Sequence, residues 1–250
     1  MFGFVHKAAE KLFSVRITRI SAEKARLADL SEAMRESIDR AQPFTMTSPE
    51  RLATLCMAVE YVVANQIPGA FVECGVWRGG SSMAAALTYQ RLGRDDVDLF
   101  LFDTFEGMSP PSKEDIRPDT GEAAEELLAA SDRKSEIWAY APIEEVRRNL
   151  AGTGYPAERL HFVKGKVEET IPESAPEQIA ILRLDTDWYE STKHELNHLL
   201  PRLSRNGILI VDDYGAWAGA RQAVDEYFAT RGSKPFLSRI DNTGRIYVNS

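Results

Sequence analysis

Two apolar runs in this chain stop at carboxylates: Ile179-Ala-Ile-Leu-Arg-Leu-Asp185-Thr-Asp187 and Gly207-Ile-Leu-Ile-Val-Asp212-Asp213. Aliphatic runs without polar alternation read as strands buried on both faces. Such strands belong to parallel α/β sheets, whose ligands sit beyond the carboxyl ends of the strands. Four aspartates at that rim form an oxygen-only donor set suited to a hard dication, Mg²⁺ before Zn²⁺. Taken singly, each pair also fits a strand-to-loop turn or a helix cap. Together, clustered carboxylates repel one another unless something cationic binds. Arg183, inside the first run, can neutralise part of this charge or pair with an acid such as Glu73 beneath the site.

A second constellation is Phe71-Val-Glu73-Cys-Gly75-Val-Trp-Arg-Gly79-Gly80-Ser81-Ser82, an acid at a strand end followed by glycines and hydroxyls that can open a helix. Glycine lets backbone approach a ligand closely, and a helix N-terminus offers free N–H groups to a carboxylate. The spacing is neither Gly-x-Gly-x-x-Gly nor a P-loop. Asp103 ends the next apolar run, Leu99-Phe-Leu-Phe-Asp, 28 residues after Gly75, where an acid commonly accepts the ribose hydroxyls of a nucleoside cofactor. Either a dinucleotide or S-adenosylmethionine fits these features.

Four segments taken in order, Glu73-Cys-Gly-Val-Trp-Arg-Gly-Gly80, Phe102-Asp-Thr-Phe-Glu-Gly-Met108, Leu184-Asp-Thr-Asp-Trp-Tyr-Glu-Ser-Thr192 and Ile210-Val-Asp-Asp-Tyr-Gly215, resemble the macrocin/mycinamicin O-methyltransferase family. The likeness runs from about Thr45 to Tyr247. It implies a metal- and S-adenosylmethionine-dependent enzyme acting on a hydroxyl of a deoxysugar or glycoside. By this resemblance Glu73, Gly75 and Ser81 border the methionine end of the cofactor and Asp103 holds its ribose. Gly165 and Lys166 form the adenine-side turn, where the family commonly has Trp-Phe in place of Lys166-Val167. Asp185, Asp212 and Asp213 become Mg²⁺ ligands and Asp187 the general base.

The elements that must position these residues follow a strand–helix rhythm: Ala70–Cys74, a helix from Ser81, Val97–Asp103, Arg159–Gly165, then the two acid-tipped strands. Repeated βαβ units predict a Rossmann-like, doubly wound, mostly parallel α/β sheet. Seven strands in the order 3-2-1-4-5-7-6 are expected. Upstream, 21–42 reads as a surface helix ended by Pro43, and Thr47-Ser-Pro-Glu50 as the capped start of a helix to Asn65. Residues 1–44 are taken as a helical extension and 45–250 as one catalytic domain. The span 104–158, too long for a single crossover, reads as a lid with helices at Glu122–Ala130 and Ile143–Leu150. A helix at Ala220–Thr230 and a hairpin of Pro235–Ile240 with Gly244–Val248 close the chain.

Composition sets limits. A chain of 250 residues, 44% hydrophobic, holds one sizeable core. A net charge of −8 without a dense basic cluster argues against nucleic acid. Two cysteines, Cys56 and Cys74, form neither a disulfide framework nor a Cys-x-x-Cys site, and read as core thiols in a reducing cytoplasm. Residues 2–20 alternate apolar and basic residues as an amphipathic helix does, so membrane-surface contact competes with packing on the body or on a second subunit; a homo-oligomer is expected.

His194-Glu195-Leu-Asn-His198 satisfies the zinc-peptidase pattern His-Glu-x-x-His. At ~100° per residue the histidines fall opposite the stripe Leu196, Leu199, Leu200, Leu203, and no third ligand is evident, so a solvated helix face is expected. The aromatics Trp188, Tyr189, Tyr214 and Trp217 divide between core packing and an acceptor pocket. The rival readings are a dinucleotide oxidoreductase, which leaves the aspartate rim unexplained, and a non-catalytic cofactor-binding assembly protein.

Overall fold

Five short runs rich in Val, Ile, Leu and Phe become the parallel centre of one sheet: β1 Ala70–Cys74, β2 Leu99–Asp103, β3 Leu160–Lys164, β4 Ile179–Leu184 and β5 Leu203–Val211. β1 and β4 are buried at every position, the charged Glu73 and Arg183 included, as central strands of a parallel sheet covered on both faces are. An antiparallel hairpin, β6 Ser238–Arg239 with β7 Arg245–Val248, completes seven strands in the order β3-β2-β1-β4-β5-β7-β6. These positions come from a computed structural model that describes residues 26–232 and 234–250. The amphipathic stretch 2–20 lies outside the described residues.

The chain divides into two compact units, Met1–Ser31 and Glu32–Ser250. Within the first, Leu30 donates its backbone N–H to the Leu27 carbonyl. The second contains everything that follows. Helix α1, Glu32–Ala41, therefore belongs to the main body, where it buries Met34, Ser37, Ile38 and Ala41. A 3₁₀ turn over Gln42–Phe44 carries the chain past Pro43. Helix α2, Pro49–Ala64, starts as its sequence dictates: Ser48 caps it by accepting the Arg51 backbone N–H, and Pro49 supplies the fixed φ of a first turn.

Helices cover both faces of the sheet. α2 packs on α3, Gly80–Arg91; α7, Tyr189–Leu199, packs on α8, Ala218–Ala229. Between them in sequence lie α4 Ala124–Ala130, α5 Ile143–Ala151 and the single turn α6 Val167–Thr170. The core between sheet and α7/α8 contains Val72, Leu182, Leu184, Leu209, Leu196, Leu199, Val224 and Phe228. Among the described residues no helix is long and apolar enough to cross a membrane.

Register delivers the site. Cys74 pairs with Phe102 on one side and Leu184 on the other, and Leu184 pairs with Val211. The next residue on each strand is Gly75, Asp103, Asp185 and Asp212, so four positions spread over more than half the sequence emerge at one level of one rim.

Candidate active site

Gly75 adopts φ +82° where β1 ends, and a Cβ there would lie 2.0 Å from the Asp185 carbonyl oxygen. The two strand ends touch, closed further by the Asp185 N–H donating to the Cys74 carbonyl at 2.8 Å. Only glycine permits both the conformation and the approach. The turn beyond is held by Asp103, whose Oδ2 accepts the Val76 and Trp77 N–H groups at 2.7 and 3.0 Å, while Oδ1 accepts that of Phe105 at 2.6 Å. Asp103 thus organises the glycine turn while still facing the cavity.

The rim opens into a cavity of about 360 Å³. Of the residues singled out in the sequence, Gly75, Ser81, Asp103, Gly165, Lys166, Asp185, Asp187, Asp212 and Asp213 line it. Glu73 does not. It lies beneath the floor, 1% exposed, accepting from Arg183 at 2.7 Å and from the Ser82 hydroxyl. Glu136 and Ile137 of the insertion also line the cavity.

The aspartates are not alone. Arg183, fully enclosed, donates to Glu73, to Asp185 Oδ2 at 2.7 Å and to Asp212 Oδ1 at 2.6 Å, so both pairings open to it in the sequence are made at once. A second guanidinium, Arg51, arrives from the first turn of α2 and pairs with Asp212 Oδ2. Thr47 adds its hydroxyl to the same carboxylate at 3.2 Å. Sequence reading missed both Thr47 and Arg51. The available signal was electrostatic: a basic side chain in a helix's first turn opposes the helix dipole and calls for a nearby acid.

Asp185, Asp212 and Asp213 each offer an oxygen within 4.8 Å of the others, and Asp213 Oδ2 is buried without a hydrogen-bond partner among the described residues. An orphaned, buried carboxylate oxygen is costly unless a cation completes it. Five carboxylates, with Glu73 and Asp187, face two guanidiniums, leaving a formal charge deficit. Burial, then mutual repulsion, pushes Asp213 well above the usual carboxylate range, and Asp185 likewise rises despite Arg183. The donor set fits a hard dication.

Asp187 sits two residues past β4 in the left-handed region, φ +67°. Burial and the charge of Asp185 raise its pKa to about 7. The Trp217 indole N–H donates to its Oδ1 at 2.9 Å. Trp217 packs edge-on against Trp188, with ring centroids 4.9 Å apart, and Trp188 in turn donates to the Ser109 carbonyl of the insertion at 2.9 Å. Asp115 fastens the insertion again: it accepts the Tyr189 N–H at 2.7 Å and presses on Gly219, where a Cβ would lie 2.0 Å away. This part of the insertion is a fixed wall beside the rim.

The family is decided by the whole chain. Residues 5–249 match the macrocin O-methyltransferase (TylF) family. A tetracenomycin-C 4'-O-methyltransferase of Streptomyces olivaceus, described as acting on the 8-demethyl-8-(2,3-dimethoxy-α-L-rhamnosyl) compound, is 36% identical over 205 residues, 80% of this chain and 73% of its own. This protein belongs to the macrocin O-methyltransferase family. A mycinamicin III 3''-O-methyltransferase of Micromonospora griseorubida is 31% identical, covering 82% of this chain and 78% of its own. The solved structure of the O-methyltransferase NovP superposes with a TM-score of 0.71 at 32% identity, covering 83% of this chain and 82% of that one. The chain is accordingly an S-adenosylmethionine-dependent O-methyltransferase, and the dinucleotide and non-catalytic readings are set aside.

The zinc-peptidase pattern is taken apart by the fold. On α7 the histidines are half-buried rather than solvated: His194 Nε2 lies 2.9 Å from the Ile171 carbonyl, and its ring rests 4.4 Å from that of His198. Glu195, between them in sequence, points into the core. It is 0% exposed and accepts the Thr186 hydroxyl at 3.0 Å. The stripe of leucines is thus wider than the sequence suggests, and it includes an acid.

Proposed function

We propose that this enzyme transfers a methyl group from S-adenosylmethionine to one hydroxyl of a vicinal diol on a neutral, sugar-bearing small molecule, with a divalent metal, Mg²⁺, bound by Asp185, Asp212 and Asp213. The observation that carries this reading is the trio of carboxylates within 4.8 Å, one with a buried unpartnered oxygen, beside a fourth at about 7. When bound, the metal supplies Lewis acidity that makes an alcohol easier to deprotonate, and the sulfonium supplies the methyl group.

The chain's residues do the rest. Asp187, poised near neutrality, accepts the proton of the acceptor hydroxyl. Trp217 holds one oxygen of Asp187, leaving the other for that proton. Gly75 and Ser81, at the glycine turn, suit the methionine end of the cofactor; Asp103 keeps lone pairs for ribose hydroxyls, and Gly165 and Lys166 flank the adenine side. Trp188, Trp217, Met108 and Ile137 give the cavity an apolar wall that packs on a sugar face and excludes water from the reacting atoms. Relatives named for action on a rhamnosyl tetracenomycin and on mycinamicin support a glycoside acceptor.

The test is a panel of deoxysugar glycosides with S-adenosylmethionine, with and without chelator. Methylation restricted to vicinal diols, abolished by chelation and restored by Mg²⁺, is expected. Full turnover after verified metal removal overturns the metal assignment, and activity confined to isolated hydroxyls overturns the diol.

A further inference from the structure

Among the described residues, Arg51 is a cation paired with the rim aspartates that comes from outside the sheet. Its geometry differs from that of Arg183. Arg183 is locked within β4 and shared among three acids. Arg51 reaches Asp212 with one terminal nitrogen and turns its Nε to Asp241 Oδ2 at 3.0 Å and to Ser48 Oγ at 3.3 Å. Asp241 is itself fixed in the loop between β6 and β7: it accepts the Thr243 and Gly244 N–H groups at 2.9 and 2.8 Å and the Ser48 hydroxyl at 2.7 Å. Gly244 leaves room for the arginine stem, since a Cβ there would lie 2.9 Å from Arg51 Cδ.

We infer that Arg51 is a positioning residue for the metal proposed above: it grips Asp212 from the side opposite its strand neighbour and takes its own orientation from Asp241, so the C-terminal hairpin helps set the geometry of a ligand 29 residues upstream. Asp212 has both oxygens engaged, Oδ1 by Arg183 and Oδ2 by Arg51, with Thr47 bridging them. A carboxylate held at both ends cannot rotate, and with three donors on its roughly four acceptor sites it keeps about one lone pair for a ligand. Hydrogen-bonded partners of metal-ligating carboxylates fix ligand orientation, and their loss typically costs about 10–100-fold in metal affinity. Bare electrostatics predicts the opposite sign, because removing a cation beside the site should draw a dication in more strongly. The two accounts therefore separate on one measurement.

This inference rests on the metal reading, and the experiment distinguishes their failures. Mn²⁺ binding is measured by titration calorimetry on the full-length wild-type protein and on Arg51→Lys, Arg51→Met and Asp241→Asn, each checked for folding by thermal melting. Affinity should fall about 10-fold or more in Arg51→Met, fall detectably in Asp241→Asn, and not recover in Arg51→Lys, which keeps the charge but loses the fork. S-adenosylmethionine affinity should stay within about 2-fold throughout, a change too small to count as loss of a specific contact. Unchanged or tighter Mn²⁺ binding in Arg51→Met, or full recovery in Arg51→Lys, overturns the positioning role while leaving the metal site intact. Absence of Mn²⁺ binding by wild-type protein overturns both.

Discussion

The carboxylate rim of β4 and β5 and the acid-bearing helix α7, which lies between those strands in sequence, both carry a motif that looks catalytic. At the rim, acids from two strands converge on a cavity and are met by Arg183 and Arg51. On α7, the motif's two histidines turn to a backbone carbonyl and to each other, while Glu195 is buried with no cation among the described residues paired to it. Sheet register brings residues from distant segments to one point. A helix spreads adjacent residues over its circumference, so a spacing that is catalytic in one setting is only a pattern in another.

The sharpest way to probe that contrast is to neutralise one acid in each region. Asp187→Asn should lower turnover by about 10²–10⁴-fold while leaving S-adenosylmethionine affinity unchanged in a binding titration; undiminished methylation would remove Asp187 as the base. Gly75→Ala attacks the register itself, forcing a Cβ onto the Asp185 carbonyl at φ +82°. Destabilisation of ~3 kcal/mol or more is expected, together with loss of activity, and a melt unchanged from wild type would show that the strand ends are not in contact.

Glu195→Gln should do the reverse of Asp187→Asn: activity retained, stability altered. Burial raises the Glu195 pKa well above its ordinary value. The folded state therefore holds a proton that the unfolded chain releases, and the stability this contributes is full below the unfolded carboxylate pKa and declines as pH rises toward the folded one. Glutamine has no such dependence. The variant should melt above wild type at pH 8, with the gap closing toward pH 5; a pH-independent gap would mean that the buried carboxyl does not titrate across this range.

The smallest effect is expected from the histidines. Replacing His194 and His198 together by alanine should change turnover by less than about 2-fold and cost about 1 kcal/mol through the Ile171 contact. A loss of activity restored by Zn²⁺ would reopen the metal role for α7.

Much of the fold was legible because its signals are local. The buried strands Ala70–Cys74 and Ile179–Leu184, the Ser48-Pro49 helix start and the closing hairpin all announce themselves in hydrophobic runs, caps and glycine turns. Helix α1 falls within the compact unit Glu32–Ser250 through an apolar face that only packing reveals. Arg51 and Thr47 escaped notice because their partner lies more than 160 residues away in sequence. Glu195 was hidden by a plausible but incomplete helical stripe.

The sequence by itself determined which residues can bind a hard cation and a nucleoside cofactor, since a carboxylate at the end of an apolar strand keeps its chemistry wherever the strand is placed. The tertiary structure decided which cations those carboxylates meet, which acids remain unpaired and which face the cavity. Those outcomes depend on distances between segments remote in the chain, and only the register of the sheet and the docking of α2 and the C-terminal hairpin set them.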